Sequence, residues 1–314
     1  MLWLTIILLI VSFAMLYYGA EFSLDASEVV GKKLGLSPLV IGMILVGFGT
    51  SLPEAFVGHI AANNDQGPIA LGSLIGSNIA NMYLILGLCS MFATLGLKGS
   101  NLRPQLFTHM LLGAALWIVL KQEVLTLISA IPLLLIILIY MYFIYREIRY
   151  NPLVDEEELE EKAEEGNVGL VFLKMIFGFG LLFVGGELLV DKATIICRAL
   201  GVEEYIVSAI LVAFGTSFPE LVTAMMAAVK KKETDLIIGN IVGSNLFNCA
   251  LILGSLGIYD FKITVNLSVE VIALLVGSTM LVLLNLFKVN FNKIIGICFL
   301  LLYGAMVGHW TKLF

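Results

Sequence analysis

ILVGFGTSLPEAF, residues 44–56, is the stretch that decides the fold, and it returns as LVAFGTSFPELV at residues 211–222. Each copy lies inside a long apolar run, yet holds glycine, a Thr-Ser pair, a proline and a carboxylate, Glu54 or Glu220. Pro53 and Pro219 remove a backbone N–H and clash with the carbonyl four residues back, that of Gly49 or Gly215. Within hydrocarbon, freed carbonyls are tolerated only where they line a cavity or are buried in protein. A carboxylate at that depth faces the protein interior and meets a proton or a cation. The two copies therefore predict membrane helices that break around a polar centre.

Composition points the same way. The 314 residues are 60% hydrophobic and 13% charged, with mean hydropathy +1.01, whereas a soluble domain is about a quarter charged. An integral membrane protein is expected, with lipid as its surroundings. The net charge of −6 comes mostly from one acidic segment, and the lack of a basic patch excludes nucleic acid as a partner. Cys89, Cys197, Cys249 and Cys298 lie in or beside apolar runs without metal-ligand spacing, and read as small buried hydrophobes. The first run, MLWLTIILLIVSFAMLYYGA, lacks a basic leader and a small-residue cleavage site, which predicts a retained helix.

Charge, Pro and Gly punctuate the chain into ten spans: 1–20, 36–62, 68–94, 104–121, 123–146, 168–191, 203–229, 234–257, 264–287 and 290–311. Continuous apolar runs such as LISAIPLLLIILIYMYFIY (127–145) fit helices rather than the alternating strands of a barrel. Thirteen basic residues fall in loops on one side: Lys32, Lys33, Lys98, Arg103, Arg146, Arg149, Lys162, Lys174, Lys230, Lys231, Lys232, Lys288 and Lys293. The other five, Lys121, Lys192, Arg198, Lys262 and Lys312, fall opposite. Basic loops mark the cytoplasmic side, so both termini are expected outside and the acidic linker 147–167 in the cytoplasm. That linker invites a Ca²⁺-loop reading, but it lacks the alternating ligands and the glycine turn. A solvated connector is expected.

A shift of 166 residues lays the chain on itself. Gly19 meets Gly185, Glu21 meets Glu187, Asp25 meets Asp191, Gly35 meets Gly201, and VGFGTSLPE (46–54) meets VAFGTSFPE (212–220) with seven of nine positions identical. One residue further on, GSLIGSNIAN (72–81) meets GNIVGSNLFN (239–248). Five spans per half is an odd number, so the second copy inserts upside down. The expected fold class is an all-α polytopic membrane protein of ten transmembrane helices in two inverted five-helix repeats. The expected domains are residues 1–146, the linker 147–167 and residues 168–314. Inverted repeats with interrupted helices place a substrate site at the midplane where the interruptions meet.

The donors gathered there are all oxygen: the Glu54 and Glu220 carboxylates, the hydroxyls of Thr50, Ser51, Thr216, Ser217, Ser77 and Ser244, the amides of Asn81 and Asn248, and carbonyls near Gly47 and Ala213. Ser77 with Asn81, and Ser244 with Asn248, are four apart and share a helix face. Gly72, Gly76, Gly239 and Gly243 beside them permit close helix approach. With no Cys or His in the motif, hard cations such as Ca²⁺ and Na⁺ are favoured over Zn²⁺ or copper.

At these residues the chain resembles the cation/Ca²⁺ exchanger superfamily, above all its compact Na⁺/Ca²⁺ exchangers, whose two α-repeats look like GTSLPE with GSNIAN and GTSFPE with GSNLFN. The resemblance spans nearly the whole chain. It implies an antiporter, not an enzyme, without cofactors, carrying Ca²⁺ and Na⁺ by alternating access. The first and sixth helices would slide against a fixed core, and several Na⁺ would exchange electrogenically for one Ca²⁺. It implies Glu54 and Glu220 as central ligands. Thr50, Ser51, Thr216, Ser217, Ser77, Ser244 and the carbonyls of Gly47 and Ala213 would form flanking Na⁺ sites, with Asn81 and Asn248 bordering the centre. A monomer in the cell (plasma or inner) membrane is expected.

Two departures stand out. Some relatives, the K⁺-dependent branch among them, carry Asp where this chain has Asn248, which predicts K⁺-independence here. Ser73 also stands where the second half has Asn240. An H⁺/Ca²⁺ exchanger is the nearest rival, but that branch has an acid near positions 77 and 244, both Ser here. A passive channel suits two broken inverted helices less well. An intramembrane hydrolase would need a nucleophile and a base, and His59, His109 and His309 share no motif with the serines. They are expected at interfaces or lining cavities.

Overall fold

The computed structural model describes residues 2–97, 101–150, 168–199 and 217–311. Helix α1 (Leu2–Lys33) is followed by a bent pair, α2 (Pro38–Thr50) and α3 (Leu52–Asn63), and by α4 (Gly67–Phe92), α5 (Arg103–Val119) and α6 (Ile131–Tyr150). After the linker come α7 (Val168–Ala199), α8 (Phe218–Val229), α9 (Thr234–Tyr259), α10 (Ser268–Leu286) and α11 (Lys293–Trp310). Among the described residues seven helices are long and apolar enough to cross a membrane, or eight with α2 and α3 counted as one broken span. The remaining regular structure among the described residues is one antiparallel pair of two-residue strands, β1 (Val124–Leu125) and β2 (Phe261–Lys262).

Burial sorts the helices by position. α9 buries 94% of its apolar window and α4 buries 72%, against 28% for each of α1, α7 and α11. α4 and α9 are therefore the central pair, and the others turn apolar side chains toward lipid, where no hydrophobic driving force holds helices together. Close packing must do so instead. A Cβ on Gly239 or Gly243 of α9 would run into the Leu39 or Met43 carbonyl, so α2 lies backbone against backbone on α9. Gly72 and Gly76, their counterparts in α4, meet nothing among the described residues. α1 and α7 run along each other in the same fashion. A Cβ on Gly19 would sit 2.8 Å from the Leu182 amide nitrogen. Leu16, Ala20, Leu182 and Leu189 give this pair a small core of its own, separate from the main one.

Several elements differ from the expected spans. α1 does not stop near residue 20 but runs to Lys33, because Glu21, Asp25 and Glu28 find partners: Lys230 lies 2.6 Å from Glu21, and Lys232 lies 2.9 Å from both Asp25 and Glu28. α6 begins at Ile131 rather than 123. Residues 124–125 are spent on β1, and Thr126 and Ser129 tie a turn through reciprocal bonds, each side-chain oxygen accepting from the other's backbone amide. The span expected at 203–229 is described only from Ser217 onward, and most of the linker 147–167 lies outside the described residues.

Two features recur at the same sequence offset. α4 and α9 each contain one π-helical stretch, Ala80–Ile85 and Phe247–Ile252, displaced by 167 residues at both ends. The same displacement carries Leu95 to Lys262 and Val124 to Phe291, so the bridge Leu95–Phe291 and the β1–β2 pair Val124–Lys262 are counterparts.

Candidate cation site

The site is built at the starts of α3 and α8. α2 ends at Thr50, Ser51 takes φ −82° and ψ 0°, and α3 restarts bent by 42°. Pro53 falls in the first turn of α3, where its missing N–H costs nothing, and Glu54 sits beside the positive helix end. α8 repeats the arrangement with Ser217 (φ −85°, ψ 2°), Pro219 and Glu220. Pro53 thus lies where one helix ends and the next starts, Pro219 lies at the start of α8, and each helix start presents a carboxylate to the interior. Glu54 and Glu220 are both fully buried.

Side chains from both halves interlock there. The Ser77 hydroxyl donates to Glu54 Oε1 at 2.8 Å and lies 2.8 Å from the Ser217 hydroxyl. Ser51 donates to Glu220 Oε1 at 3.5 Å, and the Asn248 amide donates to Ser77 Oγ at 3.5 Å. A second knot joins α2 to α9. Thr50 Oγ1 lies 3.3 Å from Ser244 Oγ and 3.4 Å from Asn240 Oδ1, and Ser244 donates to the Gly47 carbonyl at 3.1 Å. Of the residues expected at the centre, Thr50, Ser51, Glu54, Ser77, Ser217, Glu220, Ser244, Asn248 and the Gly47 carbonyl are brought together. Asn81 is buried in the π stretch of α4, while Thr216 and Ala213 lie outside the described residues.

Several buried polar atoms here have no protein partner among the described residues: Glu220 Oε2, Asn248 Oδ1, and both side-chain polar atoms of Asn81. A buried polar atom left unpaired costs about 1–3 kcal/mol. All of these except the Asn81 amide nitrogen are acceptors. An acceptor-rich cluster with two carboxylates suits a hard cation, which such oxygens coordinate directly.

Three buried asparagines were not placed at the site from the sequence. Asn240 stands opposite Ser73 in the repeat comparison, and that mismatch was its signal. Asn78 and Asn245 are identical in the two GSN motifs; their amides clasp across the molecule, Asn78 Nδ2 donating to the Asn245 carbonyl at 2.9 Å and Asn245 Nδ2 to the Asn78 carbonyl at 3.4 Å. The expectation for the cysteines needs correction. Cys249 is buried but is more than a small hydrophobe, because its sulfur accepts from Asn78 Nδ2. Cys298 is exposed, on the outer helix α11. His109 is buried, held between Asn245 and Ser278.

The chain matches the sodium/calcium exchanger protein family over residues 4–146 and 170–311. It belongs to that family. An uncharacterised membrane protein of Methanocaldococcus jannaschii is 33% identical, with 92% of each chain covered. Inner membrane protein YrbG of Escherichia coli is 33% identical, over 79% of this chain and 77% of its own length. A solved structure of the sodium-calcium exchanger NCX_Mj, soaked with Na⁺ and Sr²⁺, superposes with TM-score 0.82 at 26% identity, covering 98% of this chain and 99% of that one. This exchanger-family chain is an integral membrane protein of the cation/Ca²⁺ antiport class, and its relatives are transporters rather than enzymes.

Proposed function

We propose that the protein is a secondary antiporter that exchanges Na⁺ for Ca²⁺ by alternating access, electrogenically and without K⁺. The observation that carries this reading is the linkage of two fully buried carboxylates, Glu54 and Glu220, to serines of the opposite half through Ser51, Ser77 and Ser217. Two carboxylates balance one divalent ion. Glu54 and Glu220 are the central Ca²⁺ ligands. Thr50, Ser51, Thr216, Ser217, Ser77, Ser244 and the carbonyls of Gly47 and Ala213 bind Na⁺ on either side, and Asn81 and Asn248 border the centre. With Ser at 77 and 244, both positions lack the acid that the H⁺/Ca²⁺ branch carries there, which supports Na⁺ coupling.

The chain crosses the membrane ten times as two inverted repeats, residues 1–146 and 168–314, joined by the cytoplasmic linker 147–167. The π stretches and strand pairings displaced by 167 residues support the two repeats. The protein acts as a monomer in the cell membrane, both termini outside. The separate core of α1 and α7 supports their moving as one unit. The experiment is Ca²⁺ uptake into proteoliposomes with Na⁺ and pH gradients imposed separately. Uptake driven by the Na⁺ gradient is expected; uptake driven by the pH gradient alone would make the protein an H⁺/Ca²⁺ exchanger instead.

A further inference from the structure

We infer that His109 is a positioning residue for the cation site, acting through the Asn245 amide; the inference rests on the exchange reading above. His109 is on α5, outside both repeated motifs, and 2% exposed. Its Nε2 lies 3.0 Å from Asn245 Nδ2 and its Nδ1 lies 2.7 Å from Ser278 Oγ on α10. An amide NH₂ only donates, so Nε2 is the acceptor and the ring hydrogen is on Nδ1. Nδ1–H then donates to Ser278, whose hydroxyl donates onward to the Leu274 carbonyl at 2.6 Å. Hydrogens run one way through the chain Asn245, His109, Ser278, Leu274, and this fixes the tautomer.

That chain ends on the clasp between the two central helices. The second hydrogen of the Asn245 amide goes to the Asn78 carbonyl, while Asn78 Nδ2 donates to the Asn245 carbonyl and to Cys249 Sγ. Ser77 and Ser244 each precede these asparagines by one residue, and Asn81 and Asn248 each follow by three, inside the π stretches. The clasp therefore sets the rotation of α4 against α9, and with it where the Ser77, Ser244 and Asn248 side chains stand. Asn245 Oδ1 has no partner among the described residues. The amide is held through its NH₂ group, by the imidazole at 3.0 Å and the Asn78 carbonyl at the longer 3.4 Å, so the imidazole is the closer of the two acceptors that decide which way it faces. The two halves differ here: Asn78 has a thiol, a weak acceptor, where Asn245 has an imidazole anchored by a third helix.

Two substitutions separate positioning from packing. H109N keeps a nitrogen near the Nδ1 place, for Ser278, but is too short for Asn245. H109Q reaches Asn245 with an oxygen. Ca²⁺ uptake in proteoliposomes is measured for both, with melting temperature as a control. H109N is expected to raise the Ca²⁺ KM roughly tenfold, the scale of one buried hydrogen bond, with the maximal rate nearly kept, while H109Q stays close to wild type. In an N245A background, H109N should add nothing to the KM shift, since the two residues act as one unit. An unchanged KM in H109N, additivity with N245A, or equal losses in H109N and H109Q that track melting temperature would overturn the inference. A wild-type protein that moves no Ca²⁺ under either gradient would sink the exchange reading, and this inference with it.

Discussion

The hydroxyls of Ser77 and Ser217 lie 2.8 Å apart although 140 residues separate them in the chain, and Ser77 also donates to Glu54. One serine belongs to the GSN motif of the first half, the other to the start of α8, in the GTSFPE motif of the second. Two short hydrogen bonds through Ser77 thus join Glu54 to Ser217, and Ser51 with Glu220 adds a second, longer link between the halves.

Replacing either carboxylate with Gln tests the centre. E54Q and E220Q keep the shape and lose one of two charges facing a divalent ion. A charge-assisted contact is worth about 1.5–3 kcal/mol, so Ca²⁺ affinity is expected to fall roughly ten- to hundredfold, with melting temperature in detergent little changed. Near-normal Ca²⁺ flux in folded E220Q would remove Glu220 from the site.

Asn248 bears on which ions travel. A co-transported K⁺ adds a positive charge that a third carboxylate would balance, and Asn248 is neutral. Ca²⁺ uptake under a Na⁺ gradient, with voltage clamped by another ion, is expected to be the same with and without K⁺. N248D should tighten cation or proton binding and steepen the pH dependence of exchange. An absolute K⁺ requirement in the wild type would contradict this role of Asn248.

Orientation can be read by cysteine labelling after replacing Cys89, Cys197, Cys249 and Cys298. Asn64 and Glu233 are both exposed, one in the turn after α3 and one between α8 and α9. An impermeant thiol reagent applied to intact cells should label N64C and spare E233C. The opposite pattern would invert the topology.

Close packing of α2 on α9 predicts a sharp penalty for one methyl group. G243A places a Cβ against the Met43 carbonyl, which belongs to the backbone and cannot swing aside. Overpacking costs about 1–3 kcal/mol, so a melting temperature several degrees lower is expected, together with weaker Ca²⁺ uptake. G304A on α11, where a Cβ meets nothing, serves as the neutral comparison.

The ion pairs between α1 and the α8–α9 turn carry a pH signature. The hydrogen bond with Glu21 holds Lys230 above the ordinary lysine value. For Lys232, burial pulls downward, but the bonds to Asp25 and Glu28 outweigh it and the net shift is also upward. A lysine raised in the folded state contributes stability that is complete below its unfolded value and is lost as pH rises through the raised one. Melting temperature should therefore drop above the lysine range more steeply in wild type than in K232Q. Near neutral pH, K232Q should cost about 1 kcal/mol, the scale of pairs near the surface, and less in high salt.

Much of this protein is written locally. Apolar runs report lipid, because water and hydrocarbon reward different side chains. A proline next to a glutamate in such a run reports a helix break around something polar, because neither residue is tolerated there otherwise. A repeat offset of 166–167 residues reports two copies, and all of this can be read without knowing what touches what. Contacts across that offset cannot. The end of α1 depends on Lys230 and Lys232, some two hundred residues away, which turn Glu21, Asp25 and Glu28 from stop signals into anchors. The π stretches that present Asn81 and Asn248 leave no mark in composition, since a π turn and an α turn accept the same apolar side chains. Asn78, Asn245, Asn240 and His109 looked like ordinary polar residues until their partners were in place. Their weight comes from pairing inside a medium without water, and only the packing of α4, α5, α9 and α10 decides that.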